Sequence, residues 1–293
     1  MQPLLAALGL ATAAAYPFVE ARWYRLKHVD VPVARAVPRV TILHISDTHL
    51  NAKDASLMRF LESLPARVGR PDIAVATGDL IEDDSGIEPI AAALNGIEAT
   101  IGRFYVLGSH DYYQTQFQSY LKYFGKRAPG MRAPFADTDR LEQLLRAEGW
   151  VGLTNTTAVV DTPHGKMRFA GVDDPYLKRQ DIHHVERAAG EVLAVGLTHS
   201  PDVVSEWMLR GFDLVLSGHT HAGQVRFPLV GPLVTNSSLP TTLAGGLHPI
   251  GNAYLHVSPG LGTGRFAPIR FNCRPEATLL RVASDGAGDG RAG

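Results

Sequence analysis

Residues 212–224 read FDLVLSGHTHAGQ. An apolar run closed by a glycine turn is typical of a buried strand in a parallel sheet. His219 and His221 directly follow that strand, and open α/β sheets place their ligands at the carboxyl ends of the strands. Two imidazoles one residue apart suit either one metal ion or two adjacent ions. The stretch therefore predicts an α/β fold with a metal site at the strand ends.

The same order, an apolar strand and then side chains that can bind a metal, recurs at four earlier places in the chain. The strand at 40–45 leads to Asp47 and His49, that at 72–76 to Asp79, that at 103–107 to His110 and Asp111, and that at 191–197 to His199. Because parallel strands end at one edge of a sheet, we expect these side chains to converge.

Helix and strand patterns are distributed unevenly along the chain. Helical spacing at 55–64 and 87–94 separates the early strands, whereas strands dominate after a helix at 138–148. Two sheets that each deliver ligands from their strand ends must bury one face against each other and cover the other with helices. The sequence predicts a four-layer α-β-β-α sandwich of two mixed sheets.

Composition narrows the function classes. The chain has 293 residues and a formal net charge of −1, so no global positive field would recruit nucleic acid, and we expect none as a partner. Its single cysteine, Cys273, excludes an internal disulfide and a cysteine-based zinc site. We expect a monomer with a core large enough for one domain of this size.

The N-terminal stretch at 3–19 contains no charged residue and is followed by Glu20, Arg22, Arg25 and Lys27. Residues 1–28 are predicted to be an uncleaved membrane anchor. The alternatives are a cleaved signal peptide and a hydrophobic helix packed on the domain. The basic residues after the apolar run favour the cytoplasmic face of the cell membrane.

Proline and glycine suggest the remaining boundaries. Residues 29–39 are predicted to be an extended linker, 40–283 the catalytic domain, and 284–293 a disordered tail. An aromatic and basic insertion at 112–136 follows His110 directly and could form a lid, with Tyr112, Tyr113 and Arg127 meeting the substrate. The alternative is an amphipathic helix packed on the domain. The glycine loop at 259–264 is expected to pack near the rim of the site.

The collected donor set contains carboxylates and imidazoles without thiolates. Such a set suits Mn, Fe, Zn, Ni or Co, of which we favour Mn. Two metal ions about 3.5–4 Å apart can clamp the in-line displacement at a phosphorus atom.

The segments ISDTHL, TGDL, GSHD, THSPD and SGHTHAGQ, in this order, resemble the calcineurin-like metallophosphoesterase family. The closing GLGTGRFAPIRFNCRPEATLL is similar to the membrane-attached or exported branch that includes YkuE and YaeI, in its actinobacterial form. The resemblance implies a phosphoesterase that cleaves a phosphodiester or pyrophosphate bond, with attack by metal-bound hydroxide at a dinuclear site. The insertion and the anchor together suggest a lipid-linked substrate.

The resemblance also implies a role for each residue. The first metal would be bound by Asp47, His49 and His221, the second by His199 and His219, and Asp79 would bridge both. His110 would protonate the leaving group or steady the charge of the transition state, and Asp111 would orient His110.

One position departs from the family pattern. Ser109 stands where the family usually has an asparagine that binds the second metal, and a serine hydroxyl is a poorer ligand. The second site would then be weaker, so His221 should matter more than His219 for metal retention. Two alternatives remain open, a membrane-anchored protein that binds metal and a phosphorylated ligand with little turnover, and a phosphomonoesterase.

Overall fold

The computed structural model describes residues 14–114 and 134–285. Within these ranges the strands assemble into two large mixed sheets and one short hairpin. The first sheet has the strand order β1-β14-β2-β3-β4-β5, with β1 (Arg25–Val33), β14 (Glu276–Ser284), β2 (Val40–Ile45), β3 (Ile73–Thr77), β4 (Gly102–Val106) and β5 (Val151–Gly152). Strands β2 to β5 run parallel, and β14 is antiparallel to β2.

The second sheet has the order β12-β13-β9-β8-β7-β6. Its strands are β6 (Thr156–Thr162), β7 (Gly165–Gly171), β8 (Leu193–Leu197), β9 (Leu214–Ser217), β12 (Gly246–Ile250) and β13 (Ala253–Val257). Strands β7, β8, β9 and β13 are parallel, while β6 and β12 pair antiparallel at the two edges. The hairpin consists of β10 (Arg226–Phe227) and β11 (Gly231–Pro232).

The described α-helices are α1 (residues 14–20), α2 (Ala55–Val68), α3 (Ile87–Asn95), α4 (Ser109–Tyr112), α5 (Thr138–Ala147) and α6 (Val204–Leu209). Helices α2, α3 and α5 cover the outer face of the first sheet, and α6 covers that of the second. Leucines of α2 and α5 pack with one face of the first sheet, and Trp207 of α6 packs with the outer face of the second. A third cluster, which includes Phe104 stacked on Phe169, fills the space between the sheets. The predicted four-layer sandwich is confirmed.

The linker prediction for 29–39 is corrected by the first sheet. Arg25–Val33 forms an edge strand parallel to β14, and Val31 and Val33 of this strand are buried in the core between the sheets. The valines at 29, 31 and 33 alternate as in a strand, but Pro32 favoured a linker. An edge strand tolerates a proline, so Pro32 does not exclude a strand here. The domain thus begins before residue 40, and the connection to β2 is shorter than predicted.

Several predictions concern residues outside the described ranges. These include most of the apolar stretch at 3–19, most of the insertion at 112–136 with Arg127, and nearly all of the tail at 284–293. In the described part of the chain, no helix combines the length and the apolar character needed to cross a membrane.

Candidate metal centre

The candidate ligands lie in loops at the carboxyl ends of parallel strands. In the first sheet the loop after β2 carries Asp47 and His49, and the loop after β3 carries Asp79. In the second sheet His199 follows β8, and the histidines at 219 and 221 follow β9. Because β2 and β3 are parallel to each other, as are β8 and β9, and the sheets pack face to face, all these loops meet at one edge of the sandwich.

The three residues predicted for the first metal form one compact group. Donor atoms of Asp47, His49 and His221 all lie within 4.8 Å of one another. His49 Nε2 is 3.1 Å from His221 Nε2, which in turn is 3.6 Å from Asp47 Oδ1. These three donor atoms lie close enough together to bind one cation.

Asp79 lies at the middle of the centre, as a bridging carboxylate should. Its Oδ2 is 3.6 Å from His49 Nε2 on one side and 3.3 Å from His199 Nε2 on the other. His219 joins the second side, with Nδ1 3.3 Å from His199 Nε2. The donor atoms of Asp47, Asp79 and His199 form a second group within 4.8 Å.

Hydrogen bonds hold the outer ring nitrogens of three histidines. His49 Nδ1 lies 3.1 Å from Glu82 Oε2, and His199 Nδ1 lies 2.8 Å from the carbonyl oxygen of Thr77. His219 Nε2 lies 3.1 Å from the carbonyl oxygen of Asn236. Metal-binding histidines typically donate their second N–H to such acceptors, which leaves the other nitrogen's lone pair free for the metal.

The backbone at the centre is held in an uncommon conformation. Left-handed φ angles occur at Asp47 (48°), His49 (41°), Asp79 (50°), His219 (69°) and His221 (48°). Residues other than glycine rarely adopt this region, and each instance costs of the order of 1–3 kcal/mol when it persists in a fold. Five of the twelve non-glycine residues with positive φ in the described part of the chain are thus candidate ligands.

Charges within the centre are strongly coupled. Burial opposes ionisation of Asp79, but the positive charges of His199 and His110 outweigh burial and hold its pKa well below the usual range. Burial also opposes protonation of His49, yet the hydrogen bond that its ring donates to Glu82 and the charge of Asp79 raise its pKa to about 9. Burial lowers the pKa of His219 to about 4. Without metal, protons on some of the imidazoles therefore balance the carboxylates, and a cation would replace them.

His110 lies beside the centre and is less enclosed than the other histidines. Its backbone N–H donates to Asp79 Oδ1 at 2.8 Å, and its ring packs edge-on against that of His49 at 4.6 Å between centroids. The side chain keeps 28% of its surface exposed. This placement leaves the imidazole accessible to a molecule bound over the centre, as a general acid requires.

Asp111 is buried, and its carboxylate bonds to the backbone of two neighbouring loops. Its Oδ1 accepts hydrogen bonds from the backbone N–H groups of Leu80 and Ile81, and its Oδ2 accepts one from Gly108. Burial and the charge of Asp79 raise its pKa to about 7. These contacts tie the loop after β3 to the loop after β4, so Asp111 positions the backbone from which His110 projects.

The other predicted residues differ in their relation to the centre. Ser109 begins α4 next to Gly108, which packs closely on Asp79 and His199. Tyr112 donates its hydroxyl to Asp173 Oδ1 at 2.8 Å and carries the Arg179 guanidinium over its ring. Tyr113 packs against Phe135. Both tyrosines have protein partners, and their predicted contact with substrate stays a prediction.

Sequence reasoning missed Glu82, which is buried and bonded to His49. The only pattern that could have indicated it is its position three residues after Asp79 in TGDLIED. It also missed Arg270, a fully buried guanidinium whose Nη2 is 3.2 Å from His221 Nδ1 and donates to the carbonyl oxygens of Pro259 and Gly262. The glycine loop at 259–264 packs against Asp47, near the site as predicted. Gly262 N donates to the Asp47 carbonyl oxygen at 2.6 Å.

The donor set fits divalent metal ions of intermediate hardness. It offers oxygen and nitrogen atoms without sulfur, the rings of His49, His199 and His219 are held by outer acceptors, and Asp79 lies between His49 and His199. Asp47, His49 and His221 could hold one ion, and His199 and His219 with Asp79 a second. The separation of the two groups around one carboxylate is typical of sites that hold two ions.

Comparison with known proteins gives a consistent result. The family described as calcineurin-like phosphoesterase matches residues 40–223. The uncharacterized metallophosphoesterase YkoQ of Bacillus subtilis is 28% identical over 252 residues, covering 83% of this chain and 84% of that protein. The uncharacterized metallophosphoesterase YkuE of Bacillus subtilis is 26% identical over 250 residues (83% and 79%). The phosphodiesterase YaeI of Escherichia coli is 30% identical over 140 residues (48% and 50%).

Proposed function

The chain belongs to the calcineurin-like phosphoesterase family and is a metallophosphoesterase, and on that premise we propose that it hydrolyses a phosphodiester or pyrophosphate bond at a dinuclear centre. The observation that carries the proposal is the placement of His49 Nε2 and His199 Nε2 beside Asp79, with the outer nitrogens of both rings held by separate acceptors. This arrangement presents two groups of donors that share one carboxylate.

Two divalent ions, when bound, would activate a water nucleophile and neutralise charge on the phosphoryl oxygens. The chain's own residues position the reaction. Asp79 and Asp47 anchor the centre, and the His110 ring stands at its open side, within reach of a leaving-group oxygen. Burial lowers the pKa of His110, and the charge of Asp79 offsets only part of that decrease. The exposed position of the ring supports a role for His110 in delivering a proton to the departing oxygen.

We further propose Mn as the working metal and a lipid-linked phosphoester as the substrate. The donor set of carboxylates and imidazoles supports Mn. The uncharged stretch at 3–19 supports attachment to the cell membrane, and an enzyme held there meets membrane-bound substrates first. Membership of the YkuE and YaeI branch is part of the same proposal.

The decisive experiment measures Mn-dependent hydrolysis of bis-p-nitrophenyl phosphate. We expect turnover by the unaltered chain and a loss of at least about 100-fold in Asp79→Ala or His110→Ala, because general acid catalysis alone contributes roughly 10²–10⁴-fold. His164→Ala is the matched control, since His164 lies exposed in the β6–β7 turn. Metal and ligand binding without turnover would instead support a binding protein.

A second experiment separates the substrate classes and tests the serine. Faster cleavage of p-nitrophenyl phosphate than of the diester would favour a phosphomonoesterase. Lipid-linked diesters and pyrophosphates should be cleaved faster than soluble nucleotides, and indifference to every lipid substrate would remove that part of the proposal. Ser109→Asn should raise the occupancy of the second ion in metal analysis, and an unchanged ratio would contradict the weakness assigned to Ser109.

A further inference from the structure

The hairpin of β10 and β11 exposes an unusual amount of apolar surface. Leu229 is fully exposed, Val230 and Leu233 are about two-thirds exposed (67% and 64%), and Phe227 and Val234 are nearly half exposed. Single exposed apolar residues are ordinary, but a continuous group is not, because folded proteins rarely leave large apolar patches in water.

The surrounding sequence shares this character. Residues 227–264 contain no Asp, Glu, Lys or Arg, although charged residues make up 19% of the chain. Surfaces that remain in water are normally interspersed with charge, which keeps them soluble. Part of this stretch is buried in β13 and the loop after it, but its exposed part, which includes the hairpin from residue 227 onward, also has no charged side chain.

A second exposed apolar group lies on α1 and the turn that follows it. Phe18, Val19 and Trp23 are each about half exposed or more. The helix is nevertheless firmly attached to the domain, because the buried Glu20 carboxylate accepts hydrogen bonds from the backbone N–H groups of Asn272 and Cys273. Polar contacts hold this segment in place while its apolar side chains point away from the domain.

Residues 270 and 271 connect the two groups. Arg270 N donates to the Pro17 carbonyl oxygen of α1 at 2.9 Å, and the Phe271 ring packs edge-on against Tyr16 at 6.0 Å. Phe271 O accepts the backbone N–H of Arg226, the first residue of the hairpin, at 2.9 Å. The hairpin and α1 are therefore neighbours, and we call them together the apolar face.

We propose that the apolar face, with the hairpin at 226–234 and α1, inserts into the interface of a lipid bilayer. The uncharged stretch at 3–19 includes all of α1 except Glu20, so α1 is part of a long uncharged segment of the sequence. Arg22 and Arg274 stand at its margin, the latter stacked on Trp23 at 4.1 Å, where arginines can reach anionic headgroups. Apolar side chains with basic neighbours are typical of surfaces that lie in the membrane interface.

The hairpin also adjoins the metal centre. Arg226 donates to the carbonyl oxygen of Ala222, next to His221, and the loop leaving the hairpin brings Asn236 O to His219. Insertion would hold the centre close to the headgroup phosphates. This consequence for substrate rests on the proposed function, whereas the insertion itself does not.

A fluorescent label tests the insertion directly. Cys273 is buried and burial raises its thiol pKa, so a new exposed cysteine can be labelled selectively. The full chain carrying Leu229→Cys and an environment-sensitive dye is mixed with vesicles of phosphatidylglycerol and phosphatidylcholine. We expect a blue shift and quenching by a quencher that resides in the lipid. Leu209→Cys is the control, because Leu209 is similarly exposed on α6 beside charged residues.

Three results would overturn the proposal. One is a label at 229 that stays in water on vesicle-bound protein, as the label at 209 should. Another is a label that is already shielded from water without vesicles, to the same extent at every protein concentration. Another segment of the chain would then cover the hairpin. The third is shielding that appears only as protein concentration rises, which would identify a second copy of the chain.

A serine variant separates this inference from the proposed function. Leu229→Ser, Val230→Ser and Leu233→Ser combined should lower the vesicle partition coefficient roughly tenfold or more, because three aliphatic side chains lose apolar contact. Hydrolysis of soluble bis-p-nitrophenyl phosphate should stay within about twofold, which also reports intact folding. If the unaltered chain cleaved no diester, the proposed function would fail while the label still decided the insertion.

Discussion

At the scale of single residues, the centre depends on groups that orient its ligands as much as on the ligands. Glu82 is the clearest case, since it binds His49 Nδ1 and lies 4.0 Å from His110 Nδ1. Its Oε1 also accepts the backbone N–H of Arg265. One carboxylate thereby connects a ligand histidine, the proposed acid and the loop beyond the glycine turn.

Replacing Glu82 should weaken metal binding without removing a ligand. For Glu82→Gln we expect the affinity for Mn to fall about 10–100-fold, because the His49 ring loses its charged hydrogen-bond acceptor. Activity should drop at limiting Mn and recover in excess Mn, as measured by titration. Glu88→Gln is the control, since Glu88 is half exposed and pairs with Arg140 on the surface. Equal Mn affinity in both variants would disprove the role of Glu82.

At the scale of elements, the loops after β2 and β9 pack so closely that position 218 has no room for a side chain. Gly218 faces Ser46 Oγ and the Asp47 carboxylate, and a Cβ at this position would overlap both. Here glycine serves close approach rather than an unusual φ. The strand ends can deliver their ligands to one point only because this position has no side chain.

Adding one methyl group at Gly218 should therefore disturb the centre. Gly218→Ala is expected to cost roughly 1–3 kcal/mol of unfolding free energy by overpacking and to displace Asp47 enough to reduce metal retention. Gly264→Ala makes the same chemical change where no atom lies within 4 Å of the added Cβ, and it should behave like the unaltered chain. Urea unfolding and metal analysis compare them, and indistinguishable variants would refute the packing argument.

The two sheets also meet through a pair of buried histidines. His44 of β2 and His256 of β13 lie 2.9 Å apart between their Nδ1 atoms, and His44 Nε2 contacts Thr77 Oγ1. Burial lowers the pKa of His44 to about 3 and that of His256 well below its usual range, where the charge of His44 and the more distant Lys27 act in the same direction. The interior therefore keeps both rings neutral.

This pair should make the fold sensitive to acid. In the unfolded chain each ring gains a proton below about pH 6.5, whereas the folded chain excludes it, so protonation favours unfolding. Stability is retained above pH 6.5 and falls between pH 6.5 and 3. As the pH falls through this window, the unfolding free energy of the unaltered chain should decrease by about 1.4 kcal/mol per pH unit more than that of His44→Gln. Urea unfolding with chelator at pH 7, 6 and 5 measures this, and parallel slopes would contradict it.

At the scale of the whole molecule, the centre joins the two sheets. The carboxylates at 47 and 79 come from the first sheet, and the histidines at 199, 219 and 221 come from the second. A bound ion would thus link both halves of the sandwich at one edge. Beyond that edge the packing relies on the apolar cluster between the sheets.

Removing the metal should therefore destabilise the entire domain. At a free Mn concentration about 100 times the dissociation constant, binding adds about 2.7 kcal/mol to the unfolding free energy. We expect chelation to remove that increment and lower the thermal midpoint as one transition. Asp79→Asn should show little response to chelator. A chelator effect of equal size in Asp79→Asn would mean that the metal acts elsewhere.

Sequence patterns predicted most of the strands and helices of the sandwich, because long apolar runs and helical spacing are local properties. The edge strand Arg25–Val33 was missed, since its proline and its exposed charges resemble a linker until β14 pairs with it. β12 (Gly246–Ile250) was also not predicted, because its strand conformation depends on pairing with β13. Edge strands depend on residues far away in the chain.

The sequence by itself determined the donor set, since the order of strand ends and the five motifs name Asp47, His49, Asp79, His199, His219 and His221 without any coordinates. Only the tertiary structure decided what surrounds them. Glu82, Arg270 and the carbonyl oxygen of Asn236 become neighbours of the histidines through folding. The apolar face likewise exists only because Phe271 joins two segments that are distant in sequence. Short local motifs identify the candidate ligands, whereas the orientation of their side chains and the exposure of the apolar face depend on contacts between remote parts of the chain.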